Sequence, residues 1–341
     1  MRERAARYLT SLLSPVGRRT GRQMAERMGE ARDDGVQRLL NAARWDADAV
    51  RDDLRDYVLE NLGDPSGVLV LITIGFPKKG TRSVGVERWR NPTTGRIENH
   101  QLGLFLAYAS PGGWAFVDRA LYLPEEWAED EARRREAGVP DGVIFATKGE
   151  LAQGMLKRAF EANAPAAWIT GSEAYGTDGR LWRWLEARGC SYALAVRRSP
   201  EPPRPQGILL STIPGWAAYA NVDEAERYRE RVLGIREYGR GRGRAKFLLV
   251  SRVADRTDEF ILHRAYGPSQ TPLSGMARVV ATRQNIEAGL EQAKGEVGLD
   301  QYEVRRWEAW HRHVTLSLLA HAALQVTRAR AASGGDRQGP A

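Results

Sequence analysis

Gly67-Val-Leu-Val-Leu-Ile-Thr-Ile-Gly-Phe-Pro-Lys-Lys-Gly80 is the stretch on which the reading of this chain turns. From Val68 to Ile74 every residue but Thr73 is aliphatic. Such a run, bounded by Gly67 and by Gly75-Phe76-Pro77, predicts a strand buried on both faces. It opens into a turn carrying Lys78 and Lys79. A central strand that ends at a basic loop is a common place to handle phosphate.

The chain has 341 residues, enough for one large domain with an insertion or for a large and a small one. Hydrophobic residues make up 42% and charged residues 28%, the composition of a globular protein. The net charge of +8 and the pI near 9.7, with Arg dominating Lys, point to a phosphate-rich partner, nucleic acid first. Cys190 is the one cysteine, which excludes an intramolecular disulfide and a multi-cysteine zinc cluster. The most apolar late segment, Val314 to Val326, contains His321 and Gln325 and falls short of the roughly 20 residues a membrane span needs. The expected location is cytoplasmic, without membrane attachment.

Working outward from the strand, residues 1–63 read as helices. Tyr8, Leu9, Leu12 and Leu13 form one apolar face; further helices are predicted near 20–29, near 34–43 and from Trp45 to Leu62. Arginines crowd the first half of this region and acids the second, giving a basic edge through Arg18, Arg19 and Arg22 that suits a DNA backbone. A charged helix face is also what a merely solvated helix shows. Residues 64–197 read as several strands followed by alternating helix and strand, with helices at Glu125 to Glu136 and Lys148 to Ala162 and strands at Ala166 to Gly171 and Ser191 to Val196. Residues 198–277 begin with crowded prolines and hold two strands around Asp255-Arg256-Thr257-Asp258. Before those strands, Arg236 to Lys246 alternates glycine with Arg240, Arg242 and Arg244, which predicts a loop that lies along phosphates or a solvated linker. Residues 278–331 read as two helices, and 332–341 as a disordered tail.

The quoted strand, Tyr122-Leu123-Pro124 with Trp127, and Ala293-Lys294-Gly295-Glu296-Val297-Gly298-Leu299-Asp300-Gln301-Tyr302-Glu303-Val304-Arg305-Arg306-Trp307 together resemble one branch of the insertion-sequence DDE transposases. The matches are ordered and run from about residue 7 to residue 327. The resemblance implies an α/β fold: a ribonuclease H-like mixed sheet flanked by helices, with an N-terminal helical region and a β-rich insertion before the last catalytic helix. It implies double-stranded DNA as partner, with transposon inverted repeats as the specific target and a second copy of the chain as a further candidate. The family's Tyr-x2-Arg-x3-Glu-x6-Lys signature is kept by Arg283, Glu287 and Lys294, with Val280 in the tyrosine's place. In the family this glutamate is a metal ligand and the basic pair grips the DNA end. Lys78, Lys79, Arg240, Arg242 and Arg244 join them as expected DNA contacts.

The same resemblance exposes a loss. Family members write the strand end as Asp-Asp-Thr-Gly-Phe-Pro-Lys-Lys-Gly, where this chain has Ile72-Thr73-Ile74 before Gly75. The second family aspartate precedes Glu-Ala-Tyr-Gly, where this chain has Ser172. The family's chemistry needs three carboxylates around two Mg²⁺ ions, one to activate the attacking oxygen and one to steady the leaving one. Mg²⁺ takes hard oxygen ligands in near-octahedral geometry, which an aliphatic side chain cannot supply and a neutral hydroxyl supplies poorly. Glu287 is then the retained carboxylate, Thr73 and Ser172 mark the lost ones, and no metal cofactor is expected. Three functions compete: a DNA-binding relative without strand transfer, a ribonuclease H-like scaffold refitted as an enzyme for a small molecule, and a decaying transposase.

Overall fold

The aliphatic run forms β1 (Gly67–Pro77), which extends past the predicted strand through Gly75-Phe76-Pro77. The computed structural model describes residues 2–14, 19–90, 95–199, 230–241, 243–253 and 256–335. By contacts the chain divides into two compact units. The first holds residues 1–63, 73–164 and 290–341, and the second residues 64–72 and 165–289, so β1 belongs to the second as far as Ile72 and to the first from Thr73.

In the first unit the N-terminal region is helical, as its periodicity predicts: α1 (Arg2–Leu13), α2 (Gly21–Arg27), α3 (Asp34–Asn41) and α4 (Ala47–Leu62). Thr20 and Gln23 form a capping box on α2, and the Asp46 carboxylate accepts from the backbone N–H groups of Asp48 and Ala49 to start α4. β2 (Val86–Arg90) and β4 (Gly113–Leu121) pair antiparallel with successive stretches of the long β3 (Ile97–Ser110). The helix expected over Glu125 to Glu136 is broken into α5 (Glu125–Glu129) and α6 (Glu131–Ala137). Asp130 leaves the helical conformation and uses its carboxylate to cap the Arg133 N–H, a role for which Asp is suited and which one continuous helix would not need. α7 (Lys148–Glu161) follows its own capping box at Thr147 and Glu150.

The second unit begins with the parallel pairing of β1 with β5 (Ala166–Gly171). The short α8 (Glu173–Gly176) and α9 (Gly179–Ala187) lead to β6 (Tyr192–Ser199), parallel to β5. β7 (Glu230–Gly241), β8 (Arg244–Val253) and β9 (Arg256–Pro268) are antiparallel to one another, and β9 pairs with β6. The segment Arg236 to Lys246, expected as a loop or linker, is instead the end of β7 and the start of β8, in register from Arg236 with Leu248 to Gly241 with Arg244. Two bulges, at Val232/Gly234 and Glu237/Gly239, let the glycine-rich strand stay paired. α10 (Leu273–Val297) begins before the predicted Arg278 and passes into the first unit at Leu290. α11 (Trp307–Gly335) packs in the first unit against β4, α4, α1 and α3, so the N-terminal helices share a core with the end of the chain. It also carries helix into Ala332 to Gly335, expected as disordered tail. The fold is mixed α/β, a mixed sheet flanked by helices in the ribonuclease H-like order.

A buried ionic cluster fastens the first unit. Asp118 on β4 is 2% exposed and accepts from Arg158 Nε at 2.8 Å, with Arg51 Nε at 3.7 Å. Its neighbour Arg119 donates to Asp48 Oδ1 at 2.7 Å and to the Thr315 hydroxyl at 3.1 Å. Charges removed from water need partners to be tolerated, and these partners come from α4, β4, α7 and α11. Among the described residues, no helix is long and apolar enough to cross a membrane.

Candidate functional site

Within the second unit the register of β1 and β5 ends on Leu71 with Gly171. One residue further stand Ile72, midway along β1, and Ser172, just past the end of β5, so two positions at which the resemblance expects carboxylates follow directly on the last paired residues of these parallel strands. Ile72 is 3% exposed and packed as core. Thr73 is half-buried, and strand alternation turns it to the opposite face.

The frame around Ser172 is kept by packing. A Cβ on Gly171 would stand 3.0 Å from the ring of Tyr175 and 3.1 Å from Leu71 Cβ. A Cβ on Gly176 would lie 1.9 Å from the Ala195 carbonyl oxygen on β6, so the turn of α8 needs glycine to sit on that strand. Tyr175 is fully buried. The Ser172 carbonyl accepts from the N–H groups of Tyr175 and Gly176, at 3.0 and 3.2 Å. The Ser172 hydroxyl makes no helix-capping hydrogen bond, although Ser172 stands at the N-cap position of α8.

On α10, Arg283 and Glu287 form an i, i+4 pair. Arg283 is 1% exposed, and its Nη1 donates to both oxygens of Glu287, at 2.7 and 2.8 Å. The third signature residue, Lys294, is paired with Glu291 at 2.6 Å. Both basic residues expected to grip a DNA end therefore already hold a carboxylate on their own helix.

The other expected DNA contacts divide by environment. Lys79 is exposed. Lys78 instead lies over the ring of Tyr302, 3.4 Å from its centroid, and burial lowers its pKa to about 7 against the opposing pull of Asp300. Arg22 is exposed and pairs with Glu26. Arg19 does not lie on a basic edge: at 6% exposure, its guanidinium donates to the carbonyls of Leu12, Gly295 and Glu296. There it satisfies the open end of α10, where carbonyls lack helical partners. Arg244 donates to Ser191 Oγ at 2.8 Å and packs over Tyr266. Arg18 and Arg242, and the side chain of Arg240, lie outside the described residues.

A Mg²⁺ pair demands a set of hard oxygen donors that these positions do not make up. Ile72 carries no donor atom, Ser172 offers a neutral hydroxyl, and both Glu287 oxygens accept from Arg283. Among the described residues, no group of three or more His, Cys, Asp or Glu side chains is arranged to hold a metal. The first unit also carries a basic notch not evident from the sequence, formed by Arg82, Arg133, Arg305 and Arg306. The adjacent pair Arg305-Arg306 was its one visible signal.

A family model described as DDE superfamily endonuclease matches residues 1–201. A curated relative, the "Probable transposase for insertion sequence element IS701" of Microchaete diplosiphon, is 22% identical over 314 residues, covering 89% of this chain and 77% of the relative.

Proposed function

Since this chain belongs to the DDE superfamily endonuclease family, we propose that it binds double-stranded DNA but does not carry out metal-dependent strand cleavage and transfer. One observation carries the reading: Ile72 and Thr73 within β1, and Ser172 directly after β5, stand where the resemblance expects carboxylates. A buried isoleucine cannot enter a metal's coordination shell, and the remaining glutamate is held on both oxygens by Arg283. No step through a metal ion follows from this residue set. The charge of +8, the exposed Lys79 and the likeness to an insertion-sequence transposase support DNA as the partner, with inverted-repeat ends as its favoured sequence. A protein that holds transposon ends without cutting them would act as a repressor or decoy, in the cytoplasm.

The test compares the unmodified chain with an Ile72→Asp, Ser172→Asp variant. Gel shift with inverted-repeat duplex at low salt is expected to show binding, and an end-labelled duplex with Mg²⁺ is expected to stay intact. Mg²⁺-dependent nicking by the unmodified chain overturns the proposal, as does a complete absence of DNA binding.

A further inference from the structure

The basic notch of the first unit has a volume of about 360 Å³ and is lined by Arg82, Arg133, Arg305 and Arg306, with Glu136 as the one carboxylate and Trp127 as one wall. Arg82, Arg305 and Arg306 are exposed. Among the described residues, none of the four arginines makes an ion pair, in contrast to Arg51, Arg55, Arg158, Arg312 and Arg328 of the same unit. Four like charges converging on one concavity repel one another, and an arrangement that keeps them unpaired is suited to an external anion.

The notch is also held rigid. Its two arms are the turn after β1 and the segment leading into α11, and they are joined by the Val84 N–H donating to the Arg305 carbonyl at 2.9 Å. Behind that bond runs a buried relay: Trp310 Nε1 donates to the Tyr302 hydroxyl at 3.1 Å, which donates to Gln101 Oε1 at 2.5 Å. Gln101 Nε2 in turn donates to the Val84 carbonyl at 2.6 Å. Gly85 shapes the first arm with φ +70, where a Cβ would come within 2.7 Å of the Tyr122 carbonyl oxygen. Arg133 is held by stacking on Trp127, 3.9 Å from the ring, and Trp127 Nε1 is fixed to the Val86 carbonyl at 2.8 Å. Planar guanidinium groups are the donors best matched to phosphate oxygens, and fixing one beforehand, as at Arg133, lowers the ordering cost of binding.

We propose that this notch is a phosphodiester-binding site through which the protein holds the backbone of a DNA duplex. Continuous charge along a duplex suits the open notch: one phosphate between Arg305 and Arg306 leaves its neighbour on the strand to Arg82 and Arg133. The contacts are to the backbone, so they secure affinity and orientation and leave sequence preference to other residues. The proposal rests on the DNA-binding reading above, and extends it to residues other than Ile72, Ser172 and the α10 signature.

The experiment measures duplex affinity by fluorescence anisotropy over a range of KCl concentrations, using inverted-repeat and unrelated duplexes. It compares the unmodified chain, Arg305→Gln with Arg306→Gln, and Arg305→Lys with Arg306→Lys. The glutamine variant, which loses the one phosphate contact shared by Arg305 and Arg306, is expected to lower the slope of log K against log salt by about one, with about tenfold weaker binding at 0.1 M salt, on both duplexes alike. The lysine variant keeps the slope, since charge is retained. Circular dichroism of these surface variants is expected to match the unmodified chain. An unchanged slope in the glutamine variant, with the unmodified chain binding normally, overturns this site and leaves the DNA-binding reading standing. No salt-dependent binding by any form overturns both.

Discussion

Acid should unfold this protein through three histidines on a single helix. His311, His313 and His321 all lie on α11 and are buried or nearly so. Burial lowers His311 to about 3, helped by Arg119 and Arg51 and opposed by its bond to the Trp307 carbonyl and by Asp48. Burial likewise lowers His313 to about 4, helped by Lys78, and His321 to about 4, opposed by Glu296. His313 is hydrogen-bonded to the Tyr8 hydroxyl at 2.9 Å, and His321 packs against the rings of Trp114 and Phe116. Each folded pKa is below the unfolded value of about 6.5, so the unfolded chain takes up the protons first as pH falls. Stability is intact above about 6.5 and is lost from there down to about 3, the folded value of His311. With three sites the slope approaches about 4 kcal/mol per pH unit near pH 5, and the loss from pH 6.5 to 5 is about 5 kcal/mol. That is a large share of the roughly 5–15 kcal/mol that holds a typical protein folded. The perturbation is His321→Gln, and separately His311→Gln. Urea unfolding followed by tryptophan fluorescence, repeated at intervals between pH 6.5 and 5, gives the slope. Each variant is expected to reduce it by about 1.4 kcal/mol per pH unit, with one proton fewer taken up on unfolding. A slope unchanged in both variants would refute the argument.

Two further expectations concern packing. Gly176→Ala drives a Cβ into the Ala195 carbonyl oxygen and should cost about 3 kcal/mol in thermal unfolding, whereas Gly142→Ala, with nothing within 4 Å, should stay within about 0.5 kcal/mol. Arg19→Met removes a buried guanidinium from the carbonyls of Leu12, Gly295 and Glu296 and should cost about 3 kcal/mol by calorimetry; its DNA salt slope should match the unmodified chain, since those carbonyls already hold the guanidinium.

What the sequence disclosed follows the range of the forces involved. β1 was legible because burial on both faces demands an unbroken aliphatic run, and Val68 to Ile74 has it but for one threonine. Arg283 and Glu287 were legible as a pair because four residues bring side chains together on any helix. β7 was not legible: alternating glycine and arginine looks like a loop, and its pairing with β8 depends on two bulges that composition does not encode. The fate of Arg19 was hidden for another reason. Its partners lie 276 and 277 residues away, and nothing local separates an arginine that caps a distant helix from one that faces water. The notch was half visible, as Arg305-Arg306, while Arg82 and Arg133 join it only through the folded chain.

The bond between Tyr8 and His313 spans 305 positions. At roughly 5–20 residues per second, a ribosome needs roughly 15–60 s to make the second partner after the first. Throughout that interval α1 has its tyrosine but not the helix that covers it, and it must wait with apolar side chains uncovered. Contacts this remote in sequence place the protein among slow folders. A nascent chain of this kind is a natural client for chaperones, and a message cut short before codon 313 would yield a product whose opening helices have nothing to close upon.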